Sequence, residues 1–149
     1  MLTNKGKYGL KAMVHLAGRT AGQPSLVSDI AQINAIPKKF LDAILGELRN
    51  AGLVHSKKGR GGGYVLAVPA SQIMVGQIIR ALDGPLAPIP CASKGFYRGC
   101  EDCATEAKCS VRLMMMEVRN AMANVLDHRS LAEMRDLSEI DEERMMYYI

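Results

Sequence analysis

Tryptophan is absent from the 149-residue chain, and aromatic residues make up only 5% of it. So thin an aromatic content argues against a platform on which unpaired bases stack. Long apolar runs are missing too. None approaches the roughly 20 residues that a membrane-spanning helix needs, so no membrane association is expected. The opening Met1-Leu2-Thr3-Asn4-Lys5-Gly6-Lys7 lacks the apolar stretch of a signal peptide, which leads us to expect a cytoplasmic protein. Low-complexity segments are lacking, and 48% of residues are hydrophobic, so disorder is excluded. The length suits one globular domain with an appendage rather than a multidomain enzyme.

Negative charge is scarce in the front of the chain. Residues 1–66 hold ten Lys or Arg (Lys5, Lys7, Lys11, Arg19, Lys38, Lys39, Arg49, Lys57, Lys58, Arg60) against only Asp29, Asp42 and Glu47. The remainder is mildly acidic, and the whole carries a formal +4. A basic front joined to an acidic back points to a polyanion-binding head on a different kind of body.

Hydrophobic spacing organises that head. Leu10, Met13, Val14 and Ala17 make a buried stripe on a helix over 5–19. Ser25 is placed to cap a second helix with Val27, Ile30 and Ala31 inward. A third helix starts at Pro37, which suits a first helical position; it buries Phe40, Leu41, Ile44, Leu45 and Leu48, and Gly52 stops it. Two short strands, 53–56 and 64–66, flank Lys57-Lys58-Gly59-Arg60-Gly61-Gly62-Gly63, whose glycines permit an exposed hairpin tip. A fourth helix, about 71–82, buries Val75, Ile78, Ile79 and Leu82. Helix, helix, helix, hairpin is the order of a winged helix-turn-helix, in which the third helix enters the major groove of duplex DNA. The fold class is therefore mainly α with a small β-hairpin.

Beyond Pro85, Pro88 and Pro90 lies a polar loop, then a long helix. Val111, Met115, Val118, Met122 and Val125 recur at alternating steps of four and three, the seam of a two-helix contact. Met114, Ala121 and Leu126 widen the stripe beyond what a slender domain can cover, so the expected partner is the same helix of a second subunit. Leu131, Met134 and Leu137 mark a short final helix, and the tail after it is uninformative. The expected divisions are a DNA-binding domain over 1–84, a cysteine loop over 85–109, a dimerisation helix and short helix over 110–137, and a tail over 138–149.

The outer face of the third helix is left to Lys38, Lys39, Asp42, Ala43, Gly46 and Arg49. Lysines at its first turn can pair with phosphate or with guanine, and Asp42 can accept from a cytosine amino group. Lys57, Lys58 and Arg60 sit on a tip that buries nothing, which makes sense where phosphates or a narrow minor groove order it. Lys5, at the start of the first helix, is counted with these DNA-binding candidates.

All four cysteines, Cys91, Cys100, Cys103 and Cys109, fall between positions 91 and 109. In a reducing compartment such a cluster is metal-binding or redox-active more often than a disulfide framework. Converging thiolates suit an iron–sulfur cluster and tetrahedral zinc about equally. Lys94, Arg98 and Lys108 stand near enough in sequence to lower the thiol pKa values. A thiol–disulfide enzyme built on Cys100-x2-Cys103 is disfavoured, because that motif belongs at a helix start beside a sheet and here follows Gly99. An enzyme is not expected.

The runs Asn4–Met13, Phe40-Leu41 through Leu48-Arg49-Asn50-Ala51-Gly52-Leu53-Val54, and Gly61-Gly62-Gly63-Tyr64-Val65-Leu66-Ala67 resemble the bacterial winged-helix repressors that include IscR, NsrR, RirA and CymR. The likeness spans about residues 2–135. It implies a homodimer joined through the long helix, a palindromic operator, and DNA contacts from Lys38, Lys39 and Asp42. It also implies that Lys58 is the cation entering the minor groove, while Arg60 stands where relatives often have proline. Cluster-binding members carry three loop cysteines, the last two five residues apart. Cys91 and Cys103-x5-Cys109 match that register, which implies a 2Fe-2S or 4Fe-4S cluster, with zinc as the alternative cofactor. Cys100 departs from the pattern and is either a fourth ligand or a replacement for Cys103. Some relatives take the missing ligand from the first helix, where Lys5, Lys7 and Tyr8 are poor iron ligands. His15, expected to pack on the first helix, and His55, in the hairpin, are weak candidates, as is His128.

Overall fold

In the computed structural model, which describes residues 2–147, Thr3 opens the first helix. Its hydroxyl oxygen accepts the Gly6 N–H at 3.1 Å, so α1 runs Asn4–Ala17. α2 (Val27–Asn34) and α3 (Lys38–Asn50) follow. Ser25 does not cap α2: the residue preceding that helix is Leu26, which makes no side-chain cap. Ser25 is instead buried, and its backbone exchanges two 2.9 Å hydrogen bonds with Tyr64. Pro37 stands one residue before α3 rather than inside it.

The end of α3 follows from a single glycine. Gly52 adopts φ +78°, its N–H bonds Arg49 O at 3.0 Å, and the Leu53 N–H bonds Leu48 O at 3.0 Å. This left-handed closure satisfies two carbonyls at the helix end and turns the chain into the hairpin. There β1 (Val54–Lys57) pairs antiparallel with β2 (Gly63–Leu66), Val54 opposite Leu66 and Lys57 opposite Gly63. Gly63 (φ +142°) leaves no room for a Cβ, which would collide with the Ser25 carbonyl. The wing is thereby fastened to the approach to α2.

α4 covers Val75–Asp83 and begins later than its sequence pattern suggests, because Ala70–Gln72 forms a separate 3-10 turn. Met13, Ile30, Leu41, Ile44, Leu45, Leu48, Ile73 and Ile78 are fully enclosed between α1–α4 and the hairpin. Phe40 is not among them. It is 52% exposed and packs edge-to-face with Tyr8, ring centroids 6.2 Å apart. Leu41 takes the inward position on that turn.

α5 (Ser110–Leu126) and α6 (Leu131–Tyr147) complete the order. The last helix is not short; it continues through the region read as a featureless tail. The joint between them is pinned to the head by hydrogen bonds from Val75 N to Arg129 O at 2.9 Å and from Leu131 N to Ile73 O at 2.7 Å. Arg135 Nη1 donates to Ala17 O at 2.9 Å, holding α6 along α1. α5 stands away from the core. Arg119 is its only buried residue, while Val111 (64% exposed), Leu113, Met114 and Val125 face outward. No helix of the described residues is long and apolar enough to cross a membrane.

Candidate nucleic-acid interface and cysteine loop

The first turn of α3 carries Lys38 and Lys39 and no acidic residue. Cations at a helix N-terminus oppose the helix dipole by a few tenths of a kcal/mol. The arrangement therefore weakens the helix slightly while concentrating positive potential where backbone N–H groups also point outward. Lys38, Lys39, Asp42 and Arg49 are all exposed on the face away from Leu41, Ile44, Leu45 and Leu48. Phe40 shares the exposed surface and was missed by sequence reasoning. Its apolar ring offers contact to a thymine methyl group. The signal was its place on the helical wheel: the buried stripe is centred on Leu41, Ile44, Leu45 and Leu48, and Phe40 lies at its edge beside Leu41.

The hairpin cations divide into two kinds. Lys58 and Arg60 are exposed at the tip, and neither joins an ion pair among the described residues. The Lys57 ammonium donates to Gly22 O at 3.0 Å, bracing the wing against the turn after α1. Lys5 is also engaged: its Nζ lies 3.1 Å from Glu47 Oε2 on α3. The structure thus presents Lys38, Lys39, Lys58 and Arg60 as free cations and holds Lys5 and Lys57 in internal contacts.

The chain leaves α4 at Gly84 and reaches the cysteine loop, whose only regular pieces are 3-10 turns at Pro90–Ala92 and Glu106–Lys108. Cys91 is buried, Cys103 and Cys109 are half-buried, and Cys100 is exposed. Arg112 holds the loop to α5. Its Nε donates to Cys91 O at 3.0 Å, and its guanidinium lies 5.9 Å from the Tyr97 ring centre. The Tyr97 hydroxyl donates to the Glu106 carboxylate.

Cys109 caps α5, its sulfur accepting the Arg112 N–H at 3.5 Å. That N–H is the main influence pulling the Cys109 thiol below its ordinary pKa, opposed by desolvation and helped by the neighbouring Cys103. Desolvation, then the Cys109 sulfur, push Cys103 upward. The two thiols thus shift in opposite directions, and the downward shift of Cys109 is that expected of a cysteine at a helix N-terminus. Lys94, Arg98 and Lys108 are not among the influences on either thiol.

The thiol chemistry fits an iron–sulfur cluster or zinc. The arrangement brings together only part of the donor set: Cys103 and Cys109 interact, Cys100 lies close enough to act on Cys103, and Cys91 is anchored separately. No group of three or more His, Cys, Asp or Glu among the described residues is placed to hold a metal ion. Of the histidines, His15 lies 3.1 Å from Asn34 Nδ2, and burial, then Arg19, lower its pKa. His128 Nδ1 meets Asn124 O at 2.7 Å.

A helix-turn-helix core with a glycine wing, free cations on the third helix and the wing tip, and an appended long helix define a winged-helix regulator that binds DNA. Residues 2–136 match the Rrf2 family, described as iron-dependent transcriptional regulators, and the chain belongs to that family. It is 39% identical over 137 residues to an rrf2-like HTH-type transcriptional regulator of Rhodobacter capsulatus, covering 90% of this chain and 91% of that protein. Its fold matches CymR, the global cysteine regulator of B. subtilis, with a TM-score of 0.75 and 35% identity over 91% of this chain and 96% of the other. T. potens IscR matches with a TM-score of 0.73 and 30% identity over 99% and 96% of the two chains. These relatives are transcriptional regulators, not enzymes, and the winged-helix fold read from the sequence stands.

Proposed function

We propose that the protein is a homodimeric repressor of a palindromic operator, and that the state of its cysteine loop sets its hold on DNA. The observation that carries this reading is the position of Cys109. It is at once one of the clustered thiols and the residue that caps α5, so chemistry at its sulfur acts directly on the helix that joins the subunits. Cys91 is linked to the same helix through Arg112. The uncovered apolar face of α5 supports pairing with a second copy. Lys38, Lys39, Asp42, Lys58 and Arg60 would face the operator, with Lys5 and Lys57 supporting α3 and the wing.

Cys91, Cys100, Cys103 and Cys109 would hold a 2Fe-2S or 4Fe-4S cluster, and the family's description as iron-dependent supports iron over zinc. A bound cluster supplies an inorganic core sensitive to iron supply, oxygen and nitric oxide. Zinc in the same thiols would be a redox-inert staple. A change in the loop would alter the spacing of two recognition helices, and each lost base contact is worth roughly 1–3 kcal/mol. That is enough to toggle occupancy.

The test is anaerobic purification followed by iron, zinc and acid-labile sulfide analysis, visible absorbance, and operator binding before and after chelation. Iron with sulfide and a chelation-dependent affinity are expected. Colourless protein with stoichiometric zinc, or an affinity that chelation and reconstitution leave unchanged, overturns the cluster reading.

A second reading is favoured by the closeness of Cys103 and Cys109 and by the likeness to a global cysteine regulator. Peroxide would oxidise the two thiols to a disulfide, with two electrons and two protons passing to peroxide to give two waters. Mass mapping of disulfides after peroxide treatment distinguishes this from cluster chemistry.

A further inference from the structure

Arg119 is the only buried residue of α5, at 6% exposure. Its Nη2 donates to the amide oxygen of Asn120, but its Nε has no partner. The guanidinium joins no ion pair among the described residues. Withdrawing a charge from water without a counter-charge is costly, and native proteins answer it with a paired anion. No carboxylate is supplied here.

The side chain instead lines a pocket of about 420 Å³ between α4, the loop after Cys91 and α5. Arg80, Lys94, Ser93, Phe96 and Leu86 also line it, and no cysteine does. Arg80 is already committed to Asp127. Ser93 is buried; its oxygen accepts the Phe96 N–H at 3.2 Å, which leaves its hydroxyl hydrogen available to donate. Phe96, 75% exposed, and Leu86 offer apolar surface at the same opening.

We propose that this pocket binds a small organic monocarboxylate. The Arg119 guanidinium receives the carboxylate, Ser93 donates to it, Lys94 adds long-range attraction, and Phe96 and Leu86 cover the apolar body. The guanidinium N–H groups not taken by Asn120 can meet one carboxylate. The volume is that of a small-molecule site with few polar groups and apolar walls. Because the pocket separates α4 from α5, its occupant bears on the joint between the DNA-binding head and the long helix.

The experiment titrates the full-length protein with benzoate and 4-methylpentanoate, and in parallel with benzamide and 4-methylpentanamide. Binding is followed by thermal melting and by the arginine Nε–Hε resonances in NMR. We expect both carboxylates to raise Tm with an apparent Kd of about 1 mM and to move the Arg119 resonance, and both amides to do neither. Arg119→Gln should weaken binding at least about tenfold. Arg119→Lys, which keeps the charge without the fork, should fall between and serves if the glutamine variant does not fold. No response to either carboxylate overturns the proposal, as does an equal response in wild type and Arg119→Gln. So does a dimer that dissociates in Arg119→Gln without carboxylate dependence, which would assign the counter-charge to a second copy of the chain.

Discussion

Arg80 on α4 and Asp127 at the end of α5 are joined by two parallel hydrogen bonds of 2.5 and 2.8 Å. This is the charged link between the DNA-binding head and the long helix, beside the backbone bonds at Val75 and Leu131. The Arg80 guanidinium holds the Asp127 carboxyl below its ordinary pKa, against a smaller opposing effect of burial. A carboxyl with a depressed folded pKa contributes stability that is present above its unfolded value and is lost as pH falls through the folded one. The pair is well exposed, so Asp127→Asn should cost only about 0.5–1 kcal/mol at neutral pH. That deficit should vanish in acid. Urea melts of wild type and variant between neutral pH and acid check it.

The cations of the DNA-binding head should separate by what they touch. Lys58→Ala removes a free tip cation and should weaken operator binding, flattening its salt slope by about one unit per lost phosphate contact. Lys5→Ala removes a side chain held by Glu47 and should leave the slope nearly unchanged. Fluorescence anisotropy at several salt concentrations reads both.

Gly63 should tolerate no side chain. At φ +142°, and with the Ser25 carbonyl where a Cβ would stand, Gly63→Ala should destabilise the protein by about 2–3 kcal/mol. It should also release the wing, visible as faster amide exchange at Tyr64.

Cys109 carries two roles that substitution can part. Cys109→Ser keeps a capping oxygen for the Arg112 N–H, and Cys109→Ala loses the cap, at a cost of up to about 1 kcal/mol. Both should abolish the anaerobic chromophore and leave the protein dimeric. A chromophore retained in Cys109→Ala, which offers no donor atom, removes Cys109 from the ligand set.

The outward apolar face of α5 should be an interface. Met114→Glu should shift sedimentation from dimer to monomer with helix content unchanged in circular dichroism. An unchanged dimer would place the contact elsewhere.

Local chemistry was enough to specify the head. The period of Leu41, Ile44, Leu45 and Leu48, the stop at Gly52 and the glycine wing ending in Tyr64 each act through backbone geometry and nearest neighbours, and they read correctly without a structure. The free cations on α3 and the tip were legible for the same reason, since nothing local could bury them. Where a residue's role depends on a distant partner, the sequence was silent. Ser25 looked like a cap until the Tyr64 backbone claimed its own, and Phe40 looked like core until Leu41 filled the inward position. Lys5 reads as a DNA-binding candidate by sequence, but its partner Glu47 lies 42 positions away along the chain.

The sequence by itself determined a winged-helix head, a clustered set of thiols and an apolar long helix, because periodicity, glycine and residue type are carried by the chain. Only the tertiary structure decided which thiols meet, which cations stay free, and that Arg119 is buried without a counter-charge. Those outcomes depend on which surfaces pack together and exclude water, and that is settled by contacts between residues far apart in sequence.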